Sequence, residues 1–481
     1  MIPDVFRGIV LALGLLVPVA TVSAQDVSSL SPTPPAPSEA DDTVGTTQAA
    51  QIQTAYEPDV QTLEERIARL ESARLETAWQ PTAEDCSSCG MNFGYDSGFF
   101  FEYQDAQKDQ SFKMKFSVRT QFRYSYFASD GPNRSENNFE IERVRPKWQG
   151  HIFDPKLEYE LQLDIDNDDA DRTELYNAFL RYDMTDDLCL ENEVALKVGL
   201  WKMNMFRQEY TSDGRQMLVD RSMANEFFNI DHSVAMALEG HRDILGMPSF
   251  WHVAVLNGFD TDRDRPGRTG ALDRNFAYLA RMQHDLAGEW GKDEESDLAW
   301  HDCPAVRVGW SFANTRVDSD GAGELTNSRL VDSGARLTDT LAGLDEFDLY
   351  LYGVDAGYKN QGLSVLTEFY FRHIMNSNVP GTFSKLFDYG YYVQAGYFVL
   401  PKKLELVTRY SSIIGDSGSL GGADASADEA GGGLNWYIQG HNLKFQFDVL
   451  RYNGAPVSSS SAQLRPGDDG VLYRGQLQWL F

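Results

Sequence analysis

The chain has 481 residues and a formal net charge of −30, because 72 acidic residues outnumber 42 basic ones. Such an acidic chain is poorly suited to gripping a phosphate backbone, which argues against nucleic acid as a partner. A mean hydropathy of −0.40 is too polar for a bundle of membrane helices. The 12% of aromatic residues and the 40 glycines argue against a disordered chain, and four cysteines are too few for a disulfide scaffold.

The N-terminus predicts export from the cytoplasm. Residues 1–7 carry one arginine, residues 8–22 are apolar but too short to span a bilayer, and Val22-Ser23-Ala24 is a small-residue cleavage site. A membrane anchor is the less favoured alternative, since no second anchor pattern follows. We therefore expect a signal peptide over residues 1–24 and a mature chain in an oxidising compartment.

Three short segments follow the predicted signal peptide. Residues 25–57 are rich in Pro, Ser, Thr and Ala and predict a disordered linker. Residues 58–78 carry a short heptad seam and predict a helix, for which a coiled coil and a plain amphipathic helix both remain open. The seam consists of Val60, Leu63, Ile67 and Leu70. Residues 79–110 form a connector in which Cys86 and Cys89 have redox spacing without a βαβ context, so a local or intersubunit disulfide is favoured.

Beyond residue 110 the sequence alternates between apolar and polar residues. Over residues 112–126 most of one face is aromatic or aliphatic, whereas the other is polar and carries four cations. Because successive side chains of a strand point to opposite faces, such a segment has one apolar and one charged wall. A soluble sandwich would also alternate, but strands of ten or more residues are typical of a membrane barrel that is apolar outside and polar inside.

Sixteen strands can be delimited to within a few residues, an even number, as an up-and-down barrel requires. They are residues 112–127, 139–153, 157–166, 174–184, 193–203, 232–241, 249–259, 275–286, 304–316, 346–359, 362–375, 388–400, 404–413, 431–440, 442–453 and 470–481. The tight connections follow even-numbered strands, and residues 287–303 are the exception, long where a short turn is expected. The sequence thus predicts an all-β fold, a 16-stranded antiparallel transmembrane β-barrel over residues 111–481, after a short N-terminal helical or coiled-coil segment.

Several segments resemble the phosphate-selective porin O/P family of outer-membrane porins. Residues 139–166 resemble its early hairpin, residues 175–240 follow its order of segments, and Asp220-Arg221-Ser222 with Asn225 and Phe227 is similar to its ERS-x-x-N-x-F element. The last strand, which closes on Phe481, resembles the signal that outer-membrane barrels carry for insertion. The resemblance implies a sixteen-stranded porin, usually trimeric, with an Arg- and Lys-lined pore for phosphate-type anions.

The candidate anion site is the set of cations expected to face the lumen. Fixed cations lower the cost at which an anion sheds its water, and the planar fork of arginine suits phosphate oxygens. The first two strands contribute Lys113, Lys115, Arg119, Arg123, Arg143, Arg145 and Lys147, although Ile141 shares the face of the last three. The loop 204–231, the candidate constriction, contributes Arg207, Arg215 and Arg221. The alternative, that these arginines pair with carboxylates such as Asp220 and Glu226 and only fix the loop, stays open.

Acidic residues weaken the prediction of a phosphate pore. Glu158, Glu160, Asp164 and Asp166 are expected to face the lumen beside the basic strands, where opposed strips of charge would create a transverse field. The run from Asp164 imitates a calcium loop, but the glycine and the final glutamate of such a loop are missing, so no metal site is predicted. Cys189 and Cys303 fall in turns at the same barrel end, which leaves a disulfide between them open.

The predicted function is passive diffusion of small anions, phosphate first, through an outer-membrane porin without a cofactor. A general or cation-preferring pore and a structural tether acting through the N-terminal stalk are the alternatives. The sequence carries no hydrolase or nucleotide-binding motif, so an enzyme is not expected. The expected partners are small anions such as phosphate, outer-membrane lipids and lipopolysaccharide, and two further copies in a homotrimer. The expected place is the outer membrane of a Gram-negative-type bacterium, with the N-terminal segment in the periplasm.

Overall fold

The computed structural model describes residues 90–105, 110–131, 135–165, 173–259, 273–318, 328–331, 333–379, 385–422, 424–456 and 467–481. The predicted signal peptide, linker and coiled coil lie outside the described residues, as do Cys86 and Cys89. Within the described part of the chain, no helix is long and apolar enough to cross a membrane.

Sixteen antiparallel strands form a closed barrel, as predicted from the sequence. They are β3 (Gln110–Ser129), β4 (Glu136–Ile152), β5 (Asp154–Ile165), β6 (Thr173–Asp183), β7 (Ala195–Lys202), β8 (His232–Ile244), β9 (Met247–Leu256), β10 (Ala277–Ala287), β11 (Ala305–Val317), β12 (Phe347–Asn360), β13 (Leu363–Met375), β14 (Lys385–Leu400), β15 (Leu404–Gly415), β16 (Ala425–Gln439), β17 (Leu443–Ala455) and β18 (Asp468–Leu480). The last strand pairs with the first, with Tyr473 opposite Tyr126, and this pairing closes the barrel.

The barrel wall is polar inside and apolar outside. Along β17, Lys444, Gln446 and Asp448 are fully buried, whereas Phe445 and Phe447 are exposed. A water-soluble protein has the opposite arrangement, and a polar interior with an apolar outer band is typical of a membrane-spanning barrel. The alternation read from the sequence therefore assigned the two faces of β17 correctly.

A β-bulge on β4 resolves the conflict at Ile141. Gln121 pairs with Arg143 and the next residue, Phe122, pairs with Ile141, so Glu142 is an extra residue in the ladder. The insertion changes the alternation by one position. Ile141 consequently lies exposed on the outer face while Arg143 stays inside the barrel.

The two ends of the barrel differ in the length of their connections. At the turn end, the strands are joined at 153, 245–246, 361–362, 401–403 and 440–442, with longer segments at 184–194 and 288–304. At the loop end, the connections include 203–231, 318–346 and 416–424. Cys189 and Cys303 both lie at the turn end as exposed free thiols, so they do not form the disulfide that their positions left open.

A hairpin that the sequence did not predict lies next to the place where the first and last strands of the barrel pair. The pairing of β18 with β3 ends at Arg119, which leaves the edge of the first residues of β3 open. Strands β1 (Met91–Tyr95) and β2 (Phe99–Asp105) form a hairpin, and β2 pairs with β3 from Phe116 downward. The hairpin thus covers part of an edge that the stagger of the closing strands would expose.

The loop 203–231 lies inside the barrel, where it packs against the wall. Phe206, Met217 and Phe228 are buried in one cluster with Tyr370 of β13. The loop contains helices α1 (Arg207–Tyr210) and α2 (Met223–Phe228), and the Ser222 hydroxyl accepts a hydrogen bond from Asn225 N at the start of α2.

Carboxylates of the inner wall fix this loop through its backbone. Glu368 accepts from Arg207 N at 2.6 Å and from Gln208 N at 3.2 Å. Asp448 accepts from Val219 N at 3.0 Å, and Glu429 accepts from Met223 N at 2.7 Å. A buried backbone N–H needs an acceptor, so these acids of β13, β16 and β17 have a structural role. A part of the acidity of the chain is therefore used to hold the loop and does not face the open lumen.

Candidate functional site

A water-accessible cavity of about 540 Å³ lies between the loop 203–231, the segment 288–304, the turn 440–442 and the wall formed by β18 and β3–β7. We refer to it as the basic cavity. Its cationic lining residues are Lys115, Arg119, Arg145, Lys147, Lys202, Arg215, Arg221 and Lys292. Three carboxylates, Glu160, Asp213 and Glu294, face these eight cations. The lining is thus net positive in a chain whose formal charge is −30.

Six of the ten residues predicted as anion ligands line the basic cavity. These are Lys115, Arg119, Arg145, Lys147, Arg215 and Arg221. They come from β3, β4 and the inward-folded loop, and the fold brings them together because the loop covers the inner faces of the first strands.

The other four predicted residues lie outside the lining of the cavity. Lys113 pairs with Glu102 of the hairpin at 3.7 Å. Arg207 is buried, with its guanidinium carbon 4.3 Å from the ring centre of Trp290. Arg123 and Arg143 belong to a separate cluster around Asp220.

Asp220 forms ion pairs with three arginines that do not line the cavity. Arg123 donates to it with two nitrogens, each at 2.9 Å, Arg474 donates at 2.7 Å, and Arg143 lies 3.4 Å away. Arg123 is fully buried. The sequence left open whether arginines near this loop pair with carboxylates, and at Asp220 they do.

Asp213 is the lining carboxylate that contacts the most arginines of the basic cavity. It forms ion pairs with Arg145 and Arg221, lies 3.5 Å from an Arg119 nitrogen, and accepts a hydrogen bond from the Tyr176 hydroxyl at 3.3 Å. Burial by itself disfavours the ionised carboxylate, but Arg221 and Arg145 outweigh it and hold the pKa of Asp213 well below its usual range. One carboxylate therefore offsets only part of the positive charge of three guanidinium groups at the cavity wall.

Arg221 organises the loop besides lining the cavity. Its guanidinium donates to the carbonyl oxygens of Gln208, Glu209 and Thr211, each at 3.2 Å. These carbonyls belong to helix α1 and the residue after it, where carbonyl groups lack partners within the helix. Burial by itself lowers the pKa of Arg221, but Asp213 and Glu209 raise it well above its ordinary value. Arg221 therefore lines the cavity, where the sequence predicted an anion contact, and also holds the loop, which was the alternative role.

The acidic residues of β5 pair with cations of neighbouring strands. Asp164 accepts from Arg145 at 2.6 Å, and Glu160 lies 3.4 Å from Lys147. Glu158 pairs with Arg181 of β6 at 3.4 Å; Asp166 lies outside the described residues. The basic and acidic strips are adjacent, so they neutralise each other laterally instead of creating the transverse field considered from the sequence.

Sequence reasoning missed two lining cations, Lys202 and Lys292. Lys202 has the same parity along β7 as Leu196 and Val198, so alternation alone placed it outside. Lys292 lies in the segment 288–304, whose unusual length was the available signal. Arg215 and Lys292 are the lining cations without a hydrogen bond or ion pair from their side chains to other described residues.

The closed barrel, its apolar outer band and its charged, water-accessible interior define an outer-membrane channel of the porin class. The family model described as phosphate-selective porin O and P matches residues 112–481. The chain therefore belongs to the phosphate-selective porin O and P family, which confirms the resemblance seen in its segments.

The relatives of known sequence or structure are distant. An uncharacterised protein of Aquifex aeolicus is 21% identical over 374 residues, which cover 70% of this chain and 82% of the relative. Outer-membrane-expressed OmpT of Vibrio cholerae is 11% identical with a TM-score of 0.47, covering 81% of this chain and 99% of OmpT. The anion-selective porin from Comamonas acidovorans is 9% identical with a TM-score of 0.48, covering 76% of this chain and 99% of that porin.

Proposed function

We propose that the protein conducts small anions passively across the outer membrane and prefers phosphate-type anions. The observation that carries this proposal is the lining of the basic cavity, where eight cations face three carboxylates. An anion that enters this cavity exchanges hydration water for guanidinium and ammonium groups, which lowers the barrier to its passage. This excess of cations over carboxylates is a property of the cavity and not of the whole chain. Many carboxylates elsewhere in the barrel bind the loop backbone or pair with arginine.

The preference for phosphate rests on the kind and spacing of the cations. Arg119, Arg145 and Arg221 converge on Asp213, so their guanidinium groups already surround an oxyanion. A phosphate offers the same kind of oxygen acceptor, and a guanidinium can donate two hydrogen bonds to it. Lys292 and Arg215, without ion-pair partners among the described residues, supply attraction near the segment 288–304. The six predicted residues that line the basic cavity, with Lys202 and Lys292 added, are therefore our proposed anion ligands.

The orientation and assembly of the protein are further parts of the proposal. Bacterial barrels have short turns on the periplasmic side, so we place the turn end and the N-terminal segment in the periplasm. We expect a homotrimer, as the family implies, and contacts of the outer apolar band with lipid and lipopolysaccharide. Cross-linking in detergent micelles measures the number of subunits.

The zero-current potential of the purified protein in a planar bilayer under a salt gradient tests the proposal. Anion preference, with a chloride current that falls when phosphate is added, is the expected result. Cation preference without phosphate block would reject the proposed selectivity in favour of a cation-preferring pore. A properly folded protein that conducts nothing would favour the tether, which deletion of residues 25–90 would then test.

A further inference from the structure

The segment 288–304 is longer than its position requires, and we refer to it as the inner turn. It connects β10 to β11 at the turn end, where Ala287 lies opposite Val306 in the ladder, so a two-residue turn would suffice. Instead, Trp290, Glu295, Ser296 and Asp297 are buried inside the barrel. A polar connection buries such groups only where partners satisfy them.

The inner wall of β12–β16 provides those partners. Ser296 Oγ donates to Glu405 Oε2 at 2.9 Å and lies 2.8 Å from the Tyr437 hydroxyl. Gly362 N, in the turn that joins β12 to β13, donates to Asp297 Oδ2 at 2.8 Å. Each of these bonds holds the inner turn against one side of the lumen. The basic cavity runs along β3–β7, and the inner turn, the turn 440–442 and Gln478 of β18 also line it.

The inner turn also forms hydrogen bonds to the loop 203–231, which enters from the other end of the barrel. Glu295 Oε2 accepts from Met217 N at 2.7 Å, and Glu295 Oε1 accepts from Gln208 Nε2 at 3.0 Å. Glu295 N donates to Arg215 O at 3.2 Å. The ring of Trp290 packs against Arg207 of the same loop, with 4.3 Å from the guanidinium carbon to the ring centre. One carboxylate thus links connections from opposite ends of the barrel.

We propose that the inner turn is a plug that closes the β12–β16 side of the lumen and, through Glu295, positions the loop 203–231. Ions are thereby confined to the basic cavity, within the screening distance of about 8–10 Å from its cations. Glu295 acts as a positioning residue, since it touches the loop and not the anion. The inference rests on the channel function proposed above, but it concerns the width and shape of the path and not the sign of its selectivity.

Replacement of residues 289–303 by Asn-Gly tests the plug directly. We expect the single-channel conductance to rise about twofold or more, because ions gain a path beyond the reach of the remaining cations. The replacement also removes the lining cation Lys292, so the conductance and not the zero-current potential is the readout. Unchanged or lower conductance of the folded variant would overturn the proposal. Resistance of the barrel to SDS without heating reports that the variant is folded. The conductance ratio is informative even if the wild type prefers cations, so the two proposals fail separately.

Single substitutions test the link through Glu295 without removing the segment. Glu295→Ala removes both acceptors, and we expect larger current fluctuations and a weaker ion preference as the loop 203–231 loosens. Glu295→Gln keeps one carbonyl acceptor and should restore most of the wild-type current. Asp302→Ala is the matched control, because it removes a carboxylate from the same segment at an exposed position. Equal behaviour of Glu295→Ala and Asp302→Ala would overturn the positioning role, and it would do so whether or not the loss of charge alters conductance.

Discussion

Replacing Asp213 by Asn should strengthen the block of the channel by phosphate. The carboxylate pairs with Arg145 and Arg221 and lies 3.5 Å from Arg119, so it occupies the place where an anion would meet three guanidinium groups. Its pKa lies well below the usual range, because the arginines outweigh the effect of burial. A substitution therefore removes this charge more directly than a change of pH does.

The size of the effect follows from the charge that is removed. Two unit charges about 4 Å apart interact by ~1 kcal/mol in water and by more in a less polar cavity. An energy of ~1 kcal/mol corresponds to about fivefold in affinity, so the phosphate concentration for half block should fall by about fivefold or more. Breaking a buried ion pair costs about 3–5 kcal/mol of stability. We expect a smaller loss here, since water and anions can reach the guanidinium groups that Asp213 leaves.

The assay is titration of the chloride current of single channels with phosphate. Asp220→Asn is the matched control, because it removes the same charge from the same loop while its partners Arg123 and Arg474 do not line the cavity. A half-blocking concentration that stays the same or rises in Asp213→Asn would refute the reasoning. The same would follow if both variants gained equally, since the effect would then be a general gain in positive charge.

Three further substitutions test the loop, the packing of the inner turn and the outer band. Arg221→Lys should increase current fluctuations, because lysine cannot reach all three carbonyl groups of the loop at once; single-channel recording measures this. Gly357→Val should lower the stability of the barrel to urea by about 1–3 kcal/mol, because a Cβ there would lie 2.4 Å from an Arg207 nitrogen and 2.6 Å from the Trp290 ring. Leu406→Arg should lower stability in liposomes by up to about 2–4 kcal/mol, because Leu406 is exposed on the outer face.

Each of these substitutions has a result that would contradict it. Arg221→Lys with wild-type noise would mean that the carbonyl contacts do not hold the loop. A Gly357→Val barrel as stable as the wild type would show that the wall can yield at that point. Leu406→Arg without loss of stability would place that strand segment outside the lipid, and Thr408→Arg, two residues along the same face, locates the boundary.

The sequence by itself determined the barrel and the direction of its side chains. Alternation over long strands requires one apolar and one polar face, and only a closed sheet satisfies the backbone of such strands in lipid. The even number of strands and the tight connections after even-numbered ones followed from the same pattern. Cations such as Lys115, Arg119 and Arg145 were found because parity alone places them inside.

Only the tertiary structure decided which of these cations line the cavity. Arg119 and Arg123 have the same parity on β3, but the loop 203–231 brings Asp213 to the first and Asp220 to the second. The position of a carboxylate from a loop of this length depends on how the loop packs against the far wall, through Glu368 and Asp448, and no local pattern encodes that packing.

The remaining differences have the same physical origin. The bulge at Glu142 moves Ile141 to the outer face, because an inserted residue interrupts the two-residue alternation that the prediction assumed. Lys202 lies inside although its position in the alternation of β7 predicted an outward side chain. The inner turn was visible only as an anomalous length. Its burial depends on Glu405 and Tyr437 of distant strands. The repeating pattern of the strands fixed the wall of this porin, whereas long-range contacts of irregular segments decided the shape and charge of its interior.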